Sequence, residues 1–135
     1  MNVLVDTSVW SLALRRAKAP SSPIVSELRE LVGENRVEII GPIRQELLSG
    51  VKVPSQVQLL RHQLEAFRDI PLESVDFEAA ATCYNQCRAA GIQGSNTDFL
   101  ICAVAKRREL TIFTDDSDFT EFQRVLSLRL HATRG

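Results

Sequence analysis

Short apolar runs alternate with longer stretches that repeat apolar residues every three or four positions. Leu4-Val5 and their neighbours form a buried strand that ends at Asp6. Thr7 or Ser8 can cap a following helix, with Val9, Trp10, Leu12 and Ala13 on its apolar side. Lys18, Pro20, Ser21 and Ser22 read as a loop, and Pro23 suits the first turn of a second helix. That helix carries Ile24, Val25, Leu28, Leu31 and Val32 at helical spacing and should stop at Gly33. Val37 to Ile40 reads as the second strand. Gly41-Pro42 then opens a third helix, which Gly50 ends.

A fourth helix begins near Pro54, lined by Val57, Leu60, Leu64 and Phe67. Ile70-Pro71-Leu72 is short enough to form only an edge strand. A fifth helix runs from about Val75 to Ala90 and stops at Gly91. Ser95-Asn96-Thr97 offers capping residues for the run Phe99 to Ala105. This run is apolar on nearly every side, so its helix should be central and buried. Leu110 to Thr114 reads as a strand, and residues 125–131 as a last one. Strands alternating with helices predict one α/β domain over residues 1–135, with a parallel sheet covered on both faces. Ligands in such sheets sit beyond the carboxyl ends of the strands, where Asp6 and Asp116 fall.

The chain of 135 residues can bury a core without disulfides. It contains no apolar run of membrane-spanning length, and the opening Met1 to Asp6 lacks the basic start of a signal peptide. A cytoplasmic location is expected. The three cysteines, Cys83, Cys87 and Cys102, are an odd, sparse set with no signal peptide, which argues against a disulfide framework. Cys83 and Cys87 would share a helical face but lack the partners of a closed zinc site, so buried packing is expected. The net charge is −1 and neither half is basic. Tight nucleic-acid binding by overall charge is therefore excluded, and any such contact must be local. Arg15, Arg16, Lys18, Arg44 and Lys52 flank the acidic positions and are the candidate phosphate contacts.

Each acid has an ordinary reading by itself. Asp6 can cap a helix, Glu46 can face solvent, Asp98 suits a helix N-terminus, and Asp115, Asp116 and Asp118 can form a polar turn. Together they gain another meaning. Asp6 and Asp116 end apolar strands and Asp98 opens an apolar helix, so each lies near a low-dielectric interior. Clustered carboxylates repel one another, and a hard divalent cation such as Mg²⁺ or Mn²⁺ relieves that repulsion. Phosphate-ester cleavage is the chemistry such a cluster serves.

Four segments carry a family resemblance: Val3-Leu4-Val5-Asp6-Thr7-Ser8; Arg44-Gln45-Glu46-Leu47-Leu48-Ser49-Gly50; Asn96-Thr97-Asp98-Phe99-Leu100-Ile101-Cys102-Ala103; and Ile112-Phe113-Thr114-Asp115-Asp116-Ser117-Asp118-Phe119. In this order the chain resembles the PIN-domain ribonucleases, specifically the VapC-type toxins of bacterial toxin–antitoxin pairs. The resemblance implies a three-layer α/β/α sandwich with a five-stranded, mainly parallel sheet. It implies an endoribonuclease using Mg²⁺, or Mn²⁺ in its place, and catalytic Asp6, Glu46, Asp98 and Asp116, with Asp6, Asp98 and Asp116 as metal ligands. Thr114 stands at the family's Ser/Thr position, which selects Asp116 over Asp115. Thr7, Thr114 and Asp118 are secondary candidates, and Ser8 stands where many relatives carry Asn. The implied partners are RNA, a cognate VapB-type antitoxin and a second copy of the chain in a homodimer.

Two other readings compete. A catalytically silent PIN-like module would bind RNA or protein without cleaving it. A metal-independent ribonuclease would use His62 and His131 as general acid and base, though nothing else in the sequence unites them.

Overall fold

A computed structural model describes residues 1–14 and 22–135. In chain order the elements are β1 (Val3–Val5), α1 (Thr7–Leu14), α2 (Pro23–Gly33), β2 (Val37–Glu38), α3 (Gly41–Leu48), α4 (Pro54–Leu64), α5 (Ser74–Ala89), α6 (Asn96–Arg107), β3 (Thr111–Phe113) and α7 (Asp118–Val125).

The sheet order is β2-β1-β3, and both pairings are parallel. Val3, Leu4 and Val5 are all fully buried. Successive strand residues point to opposite faces, so helices must cover the central strand on both sides. This is the α/β/α layering that the resemblance implies. α1 packs against α2 and α3, and α3 against α4; α5 packs along α6 and touches α7.

Among the described residues, the expected five strands are present as three. Each outer position is reduced to a single parallel bridge, Ile39 with Asp69 on one edge and Ile112 with Leu130 on the other. At the first edge the Ile70 N–H reaches the Ile39 carbonyl at 2.9 Å, and Pro71 then has no N–H to continue the ladder. At the second, Ile112 donates to Arg129 O and accepts from His131 N–H, at 2.8 and 2.7 Å, before the chain leaves. Short edges of this kind expose little unpaired backbone.

Most helix boundaries agree with the residue pattern to within two positions. α2 starts at Pro23, with the Ser22 hydroxyl accepting from the Ile24 N–H. It ends at Gly33, but the left-handed residue of the following turn is Asn35, at φ 56°. Gly50 and Gly91 take positive φ after α3 and α5. α7 was not expected. Its residues Phe119 and Phe122 are fully buried and meet edge to face with ring centroids 5.1 Å apart, and Phe122 also meets Phe99 at 4.9 Å. The phenyl rings lie against Gly94, where a Cβ would come within 2.6 Å of Phe122 and 2.9 Å of Phe99.

α6 is the central helix. Every residue from Phe99 to Ala105 is buried, as its all-round apolarity predicts. Cys83, Cys87 and Cys102 lie in the same core, and burial pushes all three thiols up. Asp76, at the start of α5, is fully buried and ion-paired with Arg107 and Arg108, which join the ends of α5 and α6.

Candidate active site

The ends of β1 and β3 are joined by a hydrogen bond from Asp6 N–H to Phe113 O, at 2.8 Å. Immediately past that bond the two chains diverge into α1 and into the 114–117 turn. The Asp6 carbonyl accepts from Val9 and Trp10, so the backbone of Asp6 starts α1 while its side chain is left to the strand ends. Asp6 is only 5% exposed.

One oxygen of Asp6, Oδ2, accepts two hydroxyl protons: from Thr114 Oγ1 at 2.7 Å and from Ser8 Oγ at 2.8 Å. Burial nevertheless raises its pKa, the hydroxyls only offsetting part of the cost. Asp98 stands in the first turn of α6. Its Oδ2 accepts from Ser95 N–H and its own N–H donates to Ser95 Oγ, both at 3.1 Å. This capping box pins the carboxylate at the helix start. Burial raises the pKa of Asp98 too, the hydrogen bonds to Ser95 oppose the rise, and the charges of Asp6 and Asp116 add to it. The same field thus reaches acids from β1, from α6 and from the turn after β3.

Asp116 is half-buried. Its N–H donates to Thr114 Oγ1 at 3.0 Å, and its Oδ1 accepts from Asp118 N–H at 2.9 Å, at the start of α7. Asp118 is exposed; its backbone, not its carboxylate, meets Asp116. Asp115 is exposed as well, with its N–H held by Ser8 Oγ at 2.9 Å. Glu46 comes from α3 and is exposed, yet Thr7 Oγ1 donates to its Oε1 at 2.6 Å, tying it to the residue next to Asp6.

Glu46, Asp98 and Asp116 therefore each have one oxygen held by the scaffold. The hydrogen bonds of the described residues leave the other oxygen open. Among the described residues, no three or more Asp, Glu, His or Cys side chains are arranged so that they could hold a metal ion. The donor set still fits a hard divalent cation: it is all oxygen, carries mutually repelling charge, and is partly withdrawn from water.

Other sequence candidates fall elsewhere. Arg44 does not offer its guanidinium to a ligand. Its Nε lies 3.0 Å from Asp69 Oδ1, and its terminal nitrogens donate to Leu64 O and Phe67 O at 3.2 and 2.5 Å. It clamps α3 to the end of α4. Lys52 is exposed, and Arg15, Arg16 and Lys18 lie outside the described residues. His62 is exposed beside Glu65 at 3.6 Å, whereas His131 Nε2 lies 2.5 Å from Glu27 Oε2; each has its own acidic partner. The sequence offered Ser8 and Ser95 only as helix caps, with no part in the acidic site. Ser95 had a signal in the Ser-x-x-Asp spacing of a capping box. For Ser8, only the fold brings the 114–116 turn within reach.

An α/β/α layering with carboxylates gathered past the carboxyl ends of parallel strands defines a class of acidic-site domain. The PIN domain family matches residues 3–125, and this chain belongs to it. Among curated proteins, no significant match to the sequence is found. Solved structures share the fold. VapBC2 from Rickettsia felis, bound to a DNA fragment from its promoter, is 22% identical with a TM-score of 0.79 over 97% of this chain and 98% of that one. FitAcB from Neisseria gonorrhoeae is 22% identical with a TM-score of 0.75 over 97% of each chain. VapBC-1 from nontypeable Haemophilus influenzae is 15% identical with a TM-score of 0.75 over the whole of both.

No helix among the described residues is long and apolar enough to cross a membrane.

Proposed function

We propose that this chain is a divalent-metal-dependent endoribonuclease and the toxin of a type II toxin–antitoxin pair. The observation that carries the nuclease reading is the junction past the strand ends, where Thr114 Oγ1 donates to Asp6 and accepts from the Asp116 N–H, with Asp98 near enough to feel both charges. Asp6, Asp98 and Asp116 would hold Mg²⁺ or Mn²⁺, and Glu46, tied in by Thr7, would complete the acidic set. When bound, such a cation lowers the pKa of water and stabilises charge on a departing oxygen. The protein's part is to hold the carboxylates in place. Thr114 and Ser8 do this for Asp6, Ser95 for Asp98, and the start of α7 for Asp116.

The toxin reading is supported by fold neighbours that are complexes of toxin–antitoxin systems. A VapB-type antitoxin would silence the site by placing an arginine among the carboxylates. A guanidinium is matched to such acids and would compete with the cation. A homodimer is supported by an open groove of about 520 Å³ beside Asp98, lined by Pro42, Phe77, Ala80, Tyr84 and Leu100 among others. Phe77 is 53% exposed there, a large apolar side chain that a second copy would cover.

The test is incubation of the purified chain with total RNA in Mg²⁺ or Mn²⁺, and in EDTA, followed by sequencing of the new ends. Metal-dependent cuts with 5′-phosphate and 3′-hydroxyl ends are expected. Cleavage that persists in EDTA and leaves 2′,3′-cyclic phosphate would favour the histidine mechanism. RNA binding with no cleavage in any metal would favour the silent module. Co-expression with the neighbouring small gene product should lift growth arrest; failure to bind or rescue removes the toxin reading and leaves the nuclease intact.

A further inference from the structure

We infer that Ser8, together with Thr114, is a positioning residue that sets metal affinity by docking the backbone in front of Asp116 onto a single oxygen of Asp6. The inference rests on the metal-nuclease reading above.

A serine or threonine hydroxyl has one proton to give and lone pairs to accept with. The Ser8 hydroxyl accepts from Asp115 N–H at 2.9 Å, which leaves its proton for Asp6 Oδ2 at 2.8 Å. The Thr114 hydroxyl repeats the arrangement: it accepts from Asp116 N–H at 3.0 Å and donates to the same Oδ2 at 2.7 Å. The two hydroxyl oxygens are 3.3 Å apart. Two consecutive amides of the turn after β3 are thus bridged, through two hydroxyls, to one oxygen of the acid that ends β1.

This arrangement has two geometric consequences. Oδ2 of Asp6 is occupied by both hydroxyl donors, so Oδ1 is the oxygen that carries no hydroxyl, and the Thr7 and Ser8 amides also steady the carboxylate. The turn is also held at two successive residues rather than one, which restricts rotation of the backbone that carries Asp116. Thr114 holds the Asp116 amide and the Phe119 N–H reaches the Asp116 carbonyl at 3.2 Å, so without Ser8 it is the Asp115 end of the turn that would be unheld. Ser8 holds that end from the start of α1. Outer-shell groups that orient ligating carboxylates in this way affect metal affinity by about 10–100-fold.

The experiment is direct Mn²⁺ binding to the full chain, by calorimetry or paramagnetic resonance, alongside RNA cleavage and thermal melts in EDTA. Ser8→Ala should raise the Mn²⁺ Kd about 10–100-fold while losing much less cleavage once the metal is saturating. Ser8→Thr, which keeps the hydroxyl, should bind Mn²⁺ like the wild type. Ser8→Cys keeps the volume with only a weak donor and should behave like Ser8→Ala, a second route if the alanine variant folds poorly. The losses in Ser8→Ala and Thr114→Val should combine less than multiplicatively, because both act on one oxygen. If Ser8→Ala and Ser8→Cys bind Mn²⁺ as the wild type does, and only their melting temperature moves, the inference is overturned and the nuclease reading stands. If the wild type neither binds Mn²⁺ nor cleaves RNA, the nuclease reading fails and this inference with it.

Discussion

Thr7 Oγ1 donates to Glu46 Oε1 at 2.6 Å, and this bond joins the first residue of α1 to the middle of α3. Glu46 is exposed and has no neighbour in sequence that would draw it to Asp6. Thr7→Val keeps the shape and removes the donor, so Glu46 should swing into solvent. Cleavage is expected to fall about 10-fold, in the range seen for outer-shell partners, with Thr7→Ser close to wild type. Comparison of kcat/KM for the two variants checks this.

Acids that hold one cation act as a unit, so losing one should nearly equal losing several. Asp6→Asn, Asp98→Asn and Asp116→Asn should each abolish cleavage with circular dichroism unchanged. Asp115→Asn should be mild, because the fold uses the Asp115 amide, not its exposed carboxylate. Inactive Asp115→Asn beside active Asp116→Asn would reverse the assignment.

Without metal, the same acids burden the fold. The pKa values of Asp6 and Asp98 are raised, chiefly by burial, so their ionised forms disfavour the native state. The penalty is full above the folded pKa. It is relieved as pH falls toward the ordinary carboxylate value near 3.8, where the unfolded chain also takes up the proton. Asp98→Asn should therefore melt higher than the wild type in EDTA at pH 7, by roughly 4 °C for each kcal/mol relieved. The difference should shrink at pH 4–5, an order-of-magnitude window from the usual carboxylate range. Saturating Mn²⁺ should raise the melting temperature of the wild type and not of the variant.

Asp76 behaves oppositely. The Arg108 guanidinium holds its carboxyl well below the usual range, with the Glu73 amide and Arg107 assisting. A depressed acid stabilises the fold above its unfolded pKa, and that contribution is lost as pH falls through the folded value. Asp76→Asn should cost about 3 kcal/mol near neutrality, the lower end for a broken buried pair, because both arginines are partly open to water. The gap between variant and wild type should start to narrow only below pH ~4, the ordinary carboxylate value, and should not close until the far more acidic folded value is reached. Urea melts across pH measure both.

Gly94 is needed for space, not for a left-handed turn. Gly94→Ala would drive a methyl into Phe99 and Phe122, which sit where a Cβ would come within 3.0 Å. A loss of about 1–3 kcal/mol is expected, as for other overpacked sites. The loop between α5 and α6 would shift with it, carrying Ser95 and weakening the cap on Asp98. Both the melting temperature and metal affinity should fall.

Local pattern determined most of this protein. The all-round apolarity of Phe99 to Ala105 marked α6 as central, and the prolines and glycines placed the helix ends, because both features act within a few residues. The acidic positions were legible one by one for the same reason. α7 was not, since Asp118 to Val125 is mainly polar and is held by Phe119 and Phe122 packing against a ring from α6. The outer strands were overestimated, because pairing at an edge depends on what the neighbouring chain does after one bridge. Arg44 looked available and is spent on Asp69 and two carbonyls, a fate set by the course of the chain after α4. Which oxygen of Asp6 is engaged, and by whom, depended on bringing residue 8 to residue 115. Sequence determined the carboxylates. Only the tertiary structure decided how they are aimed, because hydrogen bonds across a hundred residues have no local signature.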